Sequence, residues 1–284
     1  VLATGLHFGE GPRWHSGKLW FSDFYDHAVK TVDLGGRVET KVEVPGQPSG
    51  LGWLPDGRML IVSMLDRCVL RLELERLVVH ADLSSIATSL CNDMVVDGAG
   101  RAYVGNFGFD LHAAAQERGM RDVLRDHPTA DLALVQADGT ASVAAAGMDF
   151  PNGSVITPDG RTLVVAETLG RRLTAFTIGP AGELGERRTW ADLGGRLPDG
   201  ICLDADGAIW IANPAAAECV RVAEGGEVLD VVETDQPCFA CMLGGDDGRT
   251  LFMLTATGDA DEQARARTGH VLVTDVAVPR AGRP

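Results

Sequence analysis

Apolar and polar residues alternate with a period near two along most of this chain, in short runs broken by tight turns. The clearest punctuation is a dipeptide ending in Gly between paired runs: Ser16-Gly17, Asp56-Gly57, Ala99-Gly100, Asp159-Gly160, Asp206-Gly207 and Asp247-Gly248. Asp-Gly supplies the backbone angles of a two-residue hairpin, so each dipeptide predicts two antiparallel strands. Successive glycines lie 40, 43, 60, 47 and 41 residues apart, which makes six units with an insertion in the third. The strand after the turn is the most regular: "KLWFSD", "RMLIVSM", "RAYVGNF", "TLVVAET", "AIWIANP", "TLFMLTA". A third run follows in most units, and a weaker fourth run closes some of them.

Helix-period apolar spacing is clear only within 111–126. The pattern therefore predicts an all-β chain, a six-bladed β-propeller of four-stranded antiparallel blades, forming one domain over 1–284. The sixth unit ends one strand short, while the chain opens with a spare run, "VLATGLHF". That N-terminal strand is expected to complete the last blade and close the ring.

In a propeller the innermost strand of each blade lines the axis, and the residue entering it stands at one mouth of the tunnel. In this register stand Glu10, Ser49, Asn92, Asn152, Asp199 and Ala240. Two carboxylates and two amides then converge, all hard oxygen donors. Such a set favours one divalent cation, calcium first, then magnesium or manganese, with zinc less preferred. Asx residues also favour turns before strands, which accounts for Asn152 or Asp199 singly but not for Glu10.

The formal charge of −15 argues against nucleic acid and anionic membrane surfaces as partners. No apolar run is long enough to span a bilayer. A small-molecule substrate is the expected partner, and nothing in the sequence fixes an oligomeric state. Of six cysteines, Cys91, Cys202 and Cys219 lie in or beside apolar runs, and Cys238-Phe-Ala-Cys241 lacks the second half of a zinc site. Free thiols and a reducing, cytoplasmic setting are expected.

Four blocks, "FGEGPRW" (8–14), "CNDMVVDGAGRAYVGNFG" (91–108), "PNGSVITPDG" (151–160) and "LPDGICLDADGAIWIAN" (197–213), resemble the gluconolactonase, regucalcin and senescence-marker-protein superfamily. The resemblance spans all six units. It implies a propeller with one catalytic divalent cation at the tunnel mouth, usually in a lactone hydrolase. By the motifs, Glu10, Asn152 and Asp199 match the metal ligands, and Asp199 also matches the general base. Asn92 matches an Asn that contacts substrate beside the metal, or ligates it in more distant relatives. One departure stands out. Sugar-acid lactonases of this kind carry an Arg two residues before that Asn, and here the residue is Leu90. Leucine cannot grip hydroxyls as a guanidinium does, which points to a substrate less polar than gluconolactone.

The insertion at about 107–130 falls in a loop on the mouth side. Leu111, Ala114, Ala115, Met120, Val123 and Leu124 give it one or two short helices, which would lie over the site as a lid. Loops of the same class supply candidates for contact with substrate: Tyr25, His27, Asn106, Phe107 and Glu167, with Met64, Arg67, His112, Arg171 and Asn213 as further rim residues. The expected reaction is metal-assisted attack of water on a lactone or ester carbonyl, with Asp199 as base. Two alternatives share the ring: another metal-assisted step (phosphotriester hydrolysis, dehydration or isomerisation), or non-catalytic calcium binding.

Overall fold

The computed structural model describes residues 1–258 and 260–282. Six four-stranded antiparallel sheets are arranged in sequence order, each a blade whose first strand is innermost. The inner strands are Gly9–His15, Pro48–Trp53, Cys91–Val96, Pro151–Ile156, Ile201–Leu203 and Cys238–Gly244. Each packs beside the inner strands of its two neighbours. The spare N-terminal strand, Ala3–Leu6, pairs with Gly269–Asp275 and completes the sixth blade, as the pattern predicts. Closure of this kind covers the free edge of the Gly269–Asp275 strand and fastens the ring.

Between blades the core is made by the alternate residues of each strand. Leu60, Val62, Met94 and Val104 fill one such seam, and Val164, Ala166, Ile209 and Ile211 another. All six cysteines are free and buried, as expected from their place in apolar runs. Four of them, Cys202, Cys219, Cys238 and Cys241, share the core between the fifth and sixth blades. Burial pushes the Cys202 and Cys219 thiols up, which suits small apolar fillers rather than nucleophiles.

The insertion forms two helices, α1 (Leu111–Arg118) and α2 (Met120–Arg125). Asp110 caps α1 by accepting from Ala113 N at 2.9 Å, while α1 itself buries no residue. Val123 of α2 is seated against Phe150 and Leu169 of the fourth blade, and Leu111 and Ala114 of α1 pack, partly buried, on the same cluster. A third helix, α3 (Ala260–Arg265), precedes the last strand. The apolar period does not announce it, because six residues are too few for a stripe to show. Among the described residues, no helix is long and apolar enough to cross a membrane.

Candidate active site

Five of the six inner strands change their pairing at or beside the ring position. The register shifts between Glu10 and Arg13, Pro48 and Leu51, Cys91 and Met94, Pro151 and Ser154, and Cys238 and Ala240. In the fifth blade the regular strand starts only at Ile201, after Asp199. An irregularity of this kind bends the strand and re-aims a side chain. Here it repeats around the axis.

The residue that follows the ring position keeps the strands close. It is glycine in four blades: Gly11, Gly50, Gly153 and Gly200. A Cβ on Gly50 would stand 2.2 Å from Met94 N, and one on Gly153 would stand 2.6 Å from Asp199 O. Neither contact is tolerable, so neighbouring backbones touch where a side chain would otherwise separate them.

This closeness gathers the predicted set into one buried ring. Glu10, Asn92, Asn152 and Asp199 are all buried at the mouth, with Asp199, the most open, at 9% exposure. The Asn152 amide donates to Thr168 Oγ1 at 3.2 Å, and Thr168 Oγ1 donates to Pro198 O at 2.7 Å, tying the fourth blade to the segment that carries Asp199. Asn92 Nδ2 reaches Pro151 O at 3.5 Å. Glu10 accepts from Gly11 N at 3.1 Å.

The electrostatics record the crowding. Burial raises Glu10 well above the usual carboxylate range, and the charges of Asp199 and Asp93 raise it further. Burial also pushes Asp199 up to about 8; a hydrogen bond from Asn152 opposes this, and the charge of Asp93 adds to it. Two acids that resist ionising side by side, with amides beside them, are short of positive charge.

Arg13 and Asp93 belong to this electrostatic unit, although neither stands in the ring register. Arg13 Nη2 donates to Asp93 Oδ1 at 3.1 Å and to Met94 O, and Nη1 donates to Pro12 O at 2.8 Å. The pair is nearly sealed from solvent, with side chains 5% and 6% exposed. The sequence does carry a trace of it: Asp93 and Cys241 occupy the two places where the other inner strands have glycine.

The rim candidates divide. Tyr25, Leu90 and Phe107 pack in one apolar cluster with Phe8, Phe24, Met64, Phe239 and Ala256. His27 is exposed, and its Nδ1 lies 2.8 Å from Pro45 O. Asn106 is turned inward, donating to Asp131 O at 2.7 Å and accepting from Gly108 N at 2.9 Å. Glu167 corrects the expected rim placement. Its side chain is fully enclosed, accepting from Arg172 Nη2 at 2.7 Å, from Asp149 N at 2.7 Å and from the Thr174 hydroxyl, with Arg187 at 3.3 Å. A carboxylate with that many donors anchors its blade and has nothing left for a substrate. Asn213 is likewise spent on Leu197 N and on Glu218.

Phe150, two residues before Asn152, adopts φ +65°, a conformation that a bulky side chain avoids. Its ring centre lies 4.6 Å from that of Phe107, and Val123 of α2 packs on it. The seating of α2 thus over-determines a strained residue beside the ring.

A pentonolactonase, XacC, from Haloferax volcanii is 26% identical over 93% of this chain and 87% of its own length. A luciferin-regenerating enzyme superimposes with a TM-score of 0.80 at 17% identity, covering 98% of this chain and 94% of the other. A calcium-binding protein, regucalcin, from Agrobacterium tumefaciens gives 0.75 at 22% identity, covering 98% and 95%. Residues 8–257 match the SMP-30/Gluconolactonase/LRE-like region, so the inner-strand blocks, the closed six-bladed ring and this match together establish that the chain belongs to the SMP-30/gluconolactonase/LRE-like family.

Proposed function

We propose that this protein hydrolyses a lactone or a related ester with the help of one divalent cation, calcium first, at the tunnel mouth. The observation that carries the reading is the buried ring itself: two carboxyls pressed together beside two amides, with no cationic side chain of the ring to balance them. Glu10, Asn152 and Asp199 would hold the cation, and Asn92 would stand beside it. Two formal negative charges and hard oxygen donors suit calcium, and magnesium or manganese next. The pentonolactonase among the relatives and the calcium-binding regucalcin among the similar structures support the same reading.

When bound, the cation supplies charge balance to the carboxylates and Lewis-acid polarisation of the carbonyl. The chain's own residues do the rest. Asp199 accepts the proton of the attacking water on a carboxylate oxygen as the new C–O bond forms. It returns that proton to the ring oxygen when the acyl C–O bond breaks, giving a hydroxy acid from lactone and water. A carboxylate held beside the reacting water can serve both halves of that exchange. Asn92 and Asn152 are held by backbone and Thr168, so they position the reactants without having to reorganise.

Lactone opening, followed by acid release before and after exhaustive chelation, tests the proposal. Activity is expected to vanish on chelation and to return with calcium. Turnover that survives chelation would overturn the metal-assisted mechanism.

The raised carboxyls add a pH signature. Asp199 in the cation-free fold keeps its proton up to about 8, whereas the ordinary value is 3.8. Across that window the fold holds a proton that the unfolded chain has released, so the stability contributed by this group falls as pH rises. The same carboxyl must ionise to hold a cation. Calcium is therefore expected to raise the melting temperature more at about pH 8 than at about pH 5. Equal gains at the two pH values would remove Asp199 from the cation site.

A further inference from the structure

The mouth is walled by hydrocarbon. Leu90, Phe107, Tyr25 and Phe239 are partly exposed and pack on the buried Phe8, Phe24, Met64 and Ala256. These residues come from the first, second, third and sixth blades. Each lies either just before the ring position or in the loop between second and third strands, so the cluster follows the rim of the site. Phe107 continues the arc to Phe150 and the lid.

The wall is also rigid. Phe8 sits with its ring centre 4.7 Å from that of Phe239 and 5.3 Å from that of Phe24. Its backbone N donates to Asp23 Oδ1 at 2.8 Å, and Asp23 is fixed by Lys30 at 2.7 Å. Several polar side chains of the same loops are occupied elsewhere. Asn106 and Asn213 are spent as described, Arg67 reaches Ala87 O, and Arg196 holds Glu218 at 2.9 Å. A hydroxyl-rich ring entering here would leave water for a surface that returns few hydrogen bonds. An aromatic group would trade water for edge and face contacts.

Resting on the hydrolysis proposed above, we infer that the substrate is a lactone or ester bearing an aromatic group, seated against Leu90, Phe107, Tyr25 and Phe239. Only the ester unit reaches the polar ring.

The test compares kcat/KM of the calcium-supplied protein for two lactones of one ring size, one bearing phenyl and one bearing hydroxyls. The phenyl compound is expected to be preferred by about tenfold or more, the discrimination that apolar pockets reach. Phe107→Ala and Leu90→Gln are each expected to narrow that ratio, with thermal melts confirming that both variants fold. Equal turnover of the two lactones, or a ratio that neither variant moves, would overturn the inference while leaving hydrolysis standing. Calorimetry with the matching lactams separates the two readings. Tighter binding of the phenyl lactam without turnover of either lactone would sink hydrolysis and support the apolar wall. Absence of both binding and turnover would overturn both.

Discussion

Replacing Asp199 by Asn is expected to lower kcat for lactone opening by about 10²–10⁴-fold, the usual contribution of a general base. Asn is nearly isosteric and can still bond to Asn152, so the ring should keep its shape. What it cannot do is take up a proton from water. The change also removes one of two acids that burial and nearby like charge hold above the normal range. The cation-free variant should therefore melt no lower than the parent at neutral pH, and calcium should stabilise it less. Steady-state kinetics and paired thermal melts give both readings. A variant within a few fold of the parent rate would show that another group takes the proton.

Arg13→Ala is expected to be the most damaging single change to stability, by about 3–5 kcal/mol, as for other buried ion pairs that lose one partner. The guanidinium links the first blade to Asp93 and Met94 of the third. Removing it strands Asp93 in the interior, where its charge already bears on both Glu10 and Asp199. Three acids would then share a site with no cationic neighbour. Asp93→Asn keeps the packing and removes the charge, so it should cost much less. Arg13→Met combined with Asp93→Leu should recover most of the loss, because a well-packed apolar replacement avoids desolvation altogether. Denaturant midpoints for the set decide the matter. Additive losses in the double variant would mean that the two residues do not act as a pair.

The sequence displays the ring more fully than it displays the surroundings of the ring. Asn92, Asn152 and Asp199 fall eight residues before the glycines of their hairpin turns and Glu10 falls seven before its own, and the fold buries all four. Leu90 and Phe107 are legible as apolar residues near that register. Glu167 and Asn106 were equally plausible by position, yet they turn away from the mouth. Both are the last residues of second strands, and their side chains bond within their own blades. Alternation along a strand cannot register that choice.

Local pattern alone determined the six units, their four strands, the closure by the N-terminal strand and the ring positions. It could do so because a hairpin turn and a period of two are encoded within a few residues of each other. Only the tertiary structure decided that Arg13 meets Asp93, 80 residues away. It alone made Thr168 steady Asn152 and let the aromatic side chains of separate blades merge into one wall. The Arg13–Asp93 pair and the aromatic wall join different blades. Distances between blades, and the burial that follows from them, exist only once the ring has closed.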